Sequence, residues 1–234
     1  MDVLARFAAD PQLAAIFLDV DGTLAPIVAD PADALVPEAT RAALRRLAGR
    51  YALVACVTGR TAEAAREIVG VPELTYVGEH GLELEPAAAA WAEPIHAFAA
   101  TASWPAERKP LSVAFHYRTS EDREAARREL EDIAAAARAE GLKTRWGRFV
   151  LEVLPPVEAT KGTAVASLLA AHGLNRALYA GDDTTDLDGF AALAGLELAV
   201  RVAVHSPEGP VDLSTRADIV VDSPSALAGL LAEL

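Results

Sequence analysis

Six short apolar runs constrain this chain more than any other feature of its sequence: Ile16-Phe17-Leu18, Leu53 to Val57, Leu74 to Val77, Ala177 to Ala180, Leu198 to Val202 and Ile219-Val220-Val221. Each is short and close to continuously apolar, the texture of strands covered on both faces in a parallel sheet. Segments with helical spacing of apolar residues begin at Pro37, Thr61, Lys161 and Ser223 and fall between or after these runs. The alternation predicts an α/β fold with a doubly wound, Rossmann-like parallel sheet, whose ligands lie beyond the carboxyl ends of the strands. Pro37 near a helix start and Gly49 just past its end fit the usual punctuation.

Between about Leu84 and Val157 the texture changes. An Ala/Pro/Trp stretch is followed by an alternating segment from Leu111 to Tyr117, a helix from Glu121 to Glu140 and strand-like runs around Trp146 and Val150. The helix places Ala126, Leu130, Ile133 and Ala137 on one stripe, suited to packing on a small sheet. The expected division is a core domain of residues 1–83 and 158–234 with an inserted α+β cap of residues 84–157. Trp91, Trp104 and Trp146 all fall in the insertion and are expected in its core rather than stacked on a ligand.

The 234 residues are 52% apolar, enough for a core and a smaller insertion. The net charge of -13 argues against nucleic-acid or membrane partners. Such a field does not attract an anionic ester either, so local cations or a metal must bind one. No apolar run approaches the roughly 20 residues that span a bilayer, and Met1 to Asp10 lacks the pattern of a secretion signal. A cytoplasmic monomer is the expectation. Cys56 is the only cysteine and reads as a small core hydrophobe.

The chemistry gathers at the ends of the runs. Asp19-Val20-Asp21-Gly22-Thr23 follows the first run directly, and i, i+2 residues of an extended segment share a face, so the two carboxylates converge. Average residue usage gives such a string by chance in about a few of every thousand chains this long. Two acids so close call for a cation, and an all-oxygen cluster suits Mg²⁺. Thr58-Gly59-Arg60 follows the second run and offers a hydroxyl and backbone N–H groups to a phosphate oxygen at a helix entrance. Lys161 opens a helix and can neutralise a phosphoryl group. Gly181-Asp182-Asp183-Thr184-Thr185-Asp186 adds a second oxygen-rich cluster. Each fragment alone also reads as an ordinary cap, turn or surface charge.

Together the four fragments, in this order, resemble the haloacid dehalogenase superfamily of phosphotransferases. That resemblance implies Asp19 as nucleophile, Asp21 as acid and then base, and Thr58 and Lys161 as phosphoryl holders, with Gly59 and Arg60 beside them. It also implies Mg²⁺ held by Asp19, Asp21 and Asp182, with Asp183 and Asp186 as outer or water-mediated partners. The insertion lies where the superfamily carries its α/β caps. Within that group, Gly78-Glu79-His80-Gly81, Ser112 to Arg118 and Gly147 to Val153 are similar to the trehalose-6-phosphate phosphatases. Glu79, His80, Arg118, Arg148 and Glu152 would then meet sugar hydroxyls. Alternatively, Arg118 and Arg148 pair with Glu152, and His80 is a buried, satisfied imidazole.

Leu154 stands where that family's pattern has an arginine, and Thr160 where it has an asparagine. Losing a cationic donor would shift preference toward a related disaccharide or pseudo-disaccharide phosphate without touching hydrolysis. A phosphomutase of the same superfamily and a silent sugar-phosphate sensor are the rival readings.

Overall fold

The computed structural model describes residues 3–28, 30–206 and 209–234. Met1 and Asp2, part of the stretch read for a leader, lie outside them. In chain order the strands are β1 (Ala15–Leu18), β2 (Leu53–Val57), β3 (Thr75–Val77), β4 (Glu107–Arg108), β5 (Val113–His116), β6 (Lys143–Gly147), β7 (Val150–Leu154), β8 (Arg176–Gly181), β9 (Leu198–Val204) and β10 (Ile219–Val221). The α-helices are α1 (Val3–Phe7), α2 (Glu38–Ala48), α3 (Ala62–Val69), α4 (Ala92–Thr101), α5 (Arg123–Ala139), α6 (Lys161–His172), α7 (Asp186–Ala192), α8 (Val211–Arg216) and α9 (Pro224–Glu233). The chain divides into two compact units, Met1–Gly81 with Ala159–Leu234, and Leu82–Glu158.

The first unit is built on a parallel six-stranded sheet in the order β10-β9-β8-β1-β2-β3. Alternate residues serve opposite faces: Ile16 and Leu18 of β1 join one apolar cluster, Ala15 and Phe17 the other. Both faces are therefore covered, and the adjacent strands β1 (Ala15–Leu18) and β2 (Leu53–Val57) carry apolar residues without interruption. Cys56 lies in the first cluster with its thiol fully buried, and burial pushes its pKa above the usual thiol range. From β1 the chain winds outward through β2 and β3, then resumes on the other side with β8, β9 and β10. The reversal falls between β1 and β8, so the switch-point crevice lies beyond Leu18 and Gly181.

Capping explains where the helices begin. Thr61 accepts from Ala64 N, and Ser223 from Ala226 N. Thr160 caps α6 with a reciprocal box: its Oγ1 accepts from Gly162 N (3.1 Å) and Thr163 N (3.2 Å), while Thr163 Oγ1 accepts from Thr160 N (2.9 Å). Threonine thus keeps the capping function that asparagine would have.

The second unit is an antiparallel sheet, order β4-β5-β7-β6, with α4 and α5 contributing to its core. The stripe Ala126, Leu130, Ile133 and Ala137 of α5 is buried against Val113, Phe115, Leu151 and Val153. The tryptophans pack partly buried at this core's margin, and Trp104 Nε1 donates to His116 O (3.0 Å). The Ala/Pro/Trp stretch forms a 3₁₀ segment, Pro86–Trp91, and then α4. Pro86 and Pro94 sit in the first turns of these elements, where N–H groups have no intrahelical partner to lose.

Candidate active site

Four loop ends meet around the switch point. After Leu18 the β1–β8 ladder continues one step, as Asp19 N donates to Ala180 O (3.0 Å). The chain then turns at Gly22, whose φ of +84° suits glycine and whose N donates to Ala25 O (2.7 Å). A Cβ on Gly22 would lie 2.2 Å from Asp182 Oδ2, so the glycine also makes room for that carboxylate. Thr23 Oγ1 donates to Asp182 Oδ1 (3.2 Å). Gly22→Ala is therefore expected to destabilise the fold by more than about 1 kcal/mol in urea unfolding. Gly229→Ala in α9, where an added Cβ meets nothing within 4 Å, is the control and is expected to be neutral or stabilising.

Lys161, first residue of α6, is buried with Nζ 2.8 Å from Asp19 Oδ1 and 2.7 Å from Asp186 Oδ1. Asp186 is saturated. Its Oδ1 also accepts from Tyr179 OH (2.7 Å), and its Oδ2 accepts from Asp182 N and Asp183 N (2.9 Å each). It therefore ties the ammonium to the loop after β8. Gly181 permits this, since a Cβ there would lie 2.2 Å from Asp186 Cγ.

Asp19, Asp182 and Asp186 are all buried and offer oxygens within 4.8 Å of one another. Burial raises the Asp19 pKa well above the ordinary carboxylate range; Lys161 opposes this, and Asp186 and Asp182 reinforce it. Burial alone would depress the Lys161 ammonium, but Asp186 and Asp19 outweigh it and the net shift is upward. The Tyr179 hydroxyl is likewise raised, by burial first and then by Asp186 and Asp19. Three buried carboxylates thus face one buried ammonium, an excess of negative charge that a hard divalent cation would offset.

Asp21 and Asp183 stand apart from this cluster. The Asp21 carboxylate is gripped by Arg60, with Nε to Oδ2 and Nη2 to Oδ1 both at 2.7 Å, while Asp183 Oδ1 accepts from Thr184 N (2.7 Å). Thr58 is buried after β2, its N donating to Val77 O (3.0 Å) and its Oγ1 accepting from Arg60 N (3.2 Å). Glu79 and His80, after β3, both have positive φ (47° and 56°), and Glu79 is buried. Gly59 lies against the His80 ring, where an added Cβ would be 2.5 Å from Nε2.

Within the second unit, the buried Glu152 accepts from Lys109 Nζ (3.3 Å) and from Arg145 Nε (2.9 Å), its neighbour across the β6–β7 pair. Arg118 lies over the Phe149 ring, 4.8 Å from its centroid. Arg148 and Phe149 form the two-residue turn between β6 and β7, and Phe149 takes a positive φ of 58°. Leu154 is buried, and the cations beside Glu152 are Arg145 of β6 and Lys109 just after β4. Lys109, Arg145 and Tyr179 were not singled out by the sequence. Only strand register reveals the Arg145 pairing, and Tyr179 reads as core.

A doubly wound sheet with carboxylates at its switch point, and an antiparallel sheet inserted after the third core strand, define the fold of the haloacid dehalogenase-like hydrolases. A hydrolase of that description from Bacteroides thetaiotaomicron superposes with a TM-score of 0.63 at 14% identity, covering 94% of this chain and 98% of that one. The chain belongs to the trehalose-phosphatase family, whose model matches residues 17–104 and 96–225. It is 36% identical to the trehalose-phosphate phosphatase of Mycobacterium marinum over 92% of its own length and 59% of the relative's. The chain thus spans less than two thirds of the length of the curated relatives it matches. The C-terminal domain of Candida albicans trehalose-6-phosphate phosphatase has the same fold, with a TM-score of 0.79 at 22% identity over 99% of this chain and 94% of that one.

Proposed function

We propose that this chain hydrolyses trehalose 6-phosphate to trehalose and phosphate through a phospho-aspartate on Asp19. The observation that carries the reading is the buried Asp19 carboxylate at the sheet's switch point, 2.8 Å from Lys161 Nζ and beside Asp182. An Asp19 oxygen attacks phosphorus as the bond from phosphorus to the sugar oxygen breaks, and Asp21 gives that oxygen its proton. Asp21 then takes a proton from the water that attacks the phospho-aspartate, which releases phosphate and restores both carboxyl groups. Thr58 Oγ1, the Gly59 backbone and Lys161 are assigned to the phosphoryl oxygens, where the ammonium's charge counts most in a water-poor site.

The donor set around Asp19 is all oxygen and carries excess negative charge, which fits Mg²⁺. Asp19 and Asp182 would hold the ion, and when bound it would supply positive charge against the incoming phosphoryl group. Asp186, with four hydrogen bonds already accepted, acts in this reading as a support for Lys161 and the Asp182 loop. Glu79, His80, Arg118, Arg148 and Glu152 are assigned to sugar hydroxyls.

Mg²⁺ relieving the crowded acids would bind the folded protein preferentially. At about ten times its dissociation constant it would add roughly 1.4 kcal/mol, or about 3–6 °C in melting temperature for a chain of this size. Differential scanning fluorimetry with Mg²⁺ and with chelator is expected to read this shift in the native chain and to lose it in Asp182→Asn.

The substrate is tested by phosphate release from trehalose 6-phosphate beside sucrose 6-phosphate and glucose 6-phosphate. Release from trehalose 6-phosphate in clear excess is the expected result. Preference for another ester would keep the chemistry and reassign the sugar.

A further inference from the structure

The Arg60–Asp21 pair has a geometry that simple charge neutralisation does not require. Nε meets Oδ2 and Nη2 meets Oδ1, both at 2.7 Å, and Nη2 also donates to Pro31 O at 2.9 Å. The guanidinium thus makes three hydrogen bonds to two points of the connection between β1 and α2. Its backbone is fixed as well, since Arg60 N donates to Thr58 Oγ1 and Arg60 O accepts from Glu79 N (2.7 Å). The side chains of Arg60 and Asp21 are 18% and 33% exposed, so the pair is partly solvated and contributes little to stability. The fork does fix the carboxylate's plane and location. It takes one acceptor site on each oxygen, and each oxygen keeps another for a proton or a water.

We propose that Arg60 is a positioning residue that holds the Asp21 carboxylate where it exchanges a proton with the leaving oxygen and then with water. This rests on the reading of Asp21 as the acid and base of the reaction. The alternative role for Arg60, direct contact with the phosphoryl group, would affect every phosphate ester alike. Positioning of Asp21 matters in the first half-reaction only when the leaving oxygen needs a proton. A sugar alkoxide needs one, whereas p-nitrophenolate leaves without help.

The test is rapid-quench single-turnover kinetics on trehalose 6-phosphate and p-nitrophenyl phosphate for the native chain, Arg60→Gln, Arg60→Lys and Asp21→Asn. Thermal unfolding of each variant serves as the folding control. Arg60→Gln is expected to slow trehalose release about 10- to 100-fold while changing the p-nitrophenolate burst by less than about threefold. Arg60→Lys, which keeps the charge but not the fork, is expected to show the same asymmetry, and it carries the test if the glutamine variant does not fold. Equal slowing of both bursts, a higher concentration needed to saturate both bursts with their maximal rates preserved, or full rescue by lysine would overturn the proposal. Asp21→Asn separates the two claims. If it slows both bursts equally, the acid/base reading of Asp21 fails; if it shows the asymmetry and Arg60→Gln does not, only the role of Arg60 fails.

Discussion

Asp19→Asn is expected to reduce phosphate release at least about 10³-fold, to the background of the assay, because a carboxamide oxygen is too poor a nucleophile to displace a sugar alkoxide. The variant should nevertheless fold. Asp19 is buried, and burial, its largest perturbation, disfavours the charged carboxylate. Asparagine has the same shape and removes one of the three crowded acids, while Lys161 keeps its 2.7 Å partner in Asp186. The melting temperature of Asp19→Asn in chelator is therefore expected to equal or exceed that of the native chain. Loss of activity with retained or raised stability separates a chemical role from a structural one. A variant that retained a tenth of the native rate would remove Asp19 from the nucleophile's role.

Lys161→Met is expected to cost both activity and stability. Methionine matches the length of the lysine stem but leaves Asp19 and Asp186 buried without their shared cation. Breaking a buried pair from one side typically costs about 3–5 kcal/mol, or roughly 6–20 °C in melting temperature for a chain of this size. The sign of the pH dependence follows from the shifts. The Lys161 pKa is raised on folding, so its contribution is fully present below the ordinary lysine pKa and fades only as pH rises through the folded value. The Asp19 pKa is raised as well, so its burial costs stability as pH climbs from the ordinary carboxylate range through the folded value. Without Lys161 to oppose it, that cost grows. The deficit of Lys161→Met in chelator should therefore be larger near pH 8 than near pH 5, as read by urea unfolding at both. Equal deficits would mean that the ammonium is not compensating the acids.

The sequence exposed most of the core and much of the site, for a common reason. Parallel strands buried on both faces must be nearly unbroken apolar runs, so β1, β2 and β8 are recognisable without tertiary information. Loops at their carboxyl ends then place Asp19, Thr58 and Asp182 by position along the chain. The inserted unit was harder to read. The alanine-rich stretch before Trp91 has little periodicity, and β4 is two exposed residues whose strand character comes from pairing with β5. Side-chain commitments were the least legible. Asp21 and Arg60 lie 39 residues apart, and nothing in either motif indicates that they form a fork. Tyr179 reads as one more apolar strand residue, although its hydroxyl donates to Asp186. The motif places Asp186 beside the metal site as an outer or water-mediated partner, but it does not reveal the four hydrogen bonds its oxygens accept. Glu152 illustrates the same limit in the insertion: Arg145 reaches it through the β6–β7 register and Lys109 from the residue after β4, neither by sequence proximity.

The central claim is a covalent phosphoryl group on Asp19 derived from trehalose 6-phosphate. The most direct measurement is to mix the native chain with trehalose 6-phosphate and Mg²⁺ for less than one turnover, before the second half-reaction is complete. The mixture is then quenched and the modified peptide mapped by mass spectrometry. The account predicts one phosphoryl group on Asp19, present with Mg²⁺ and absent with chelator or after Asp19→Asn. A phosphoryl group on any other residue, or turnover of trehalose 6-phosphate with Asp19 unmodified, would contradict it.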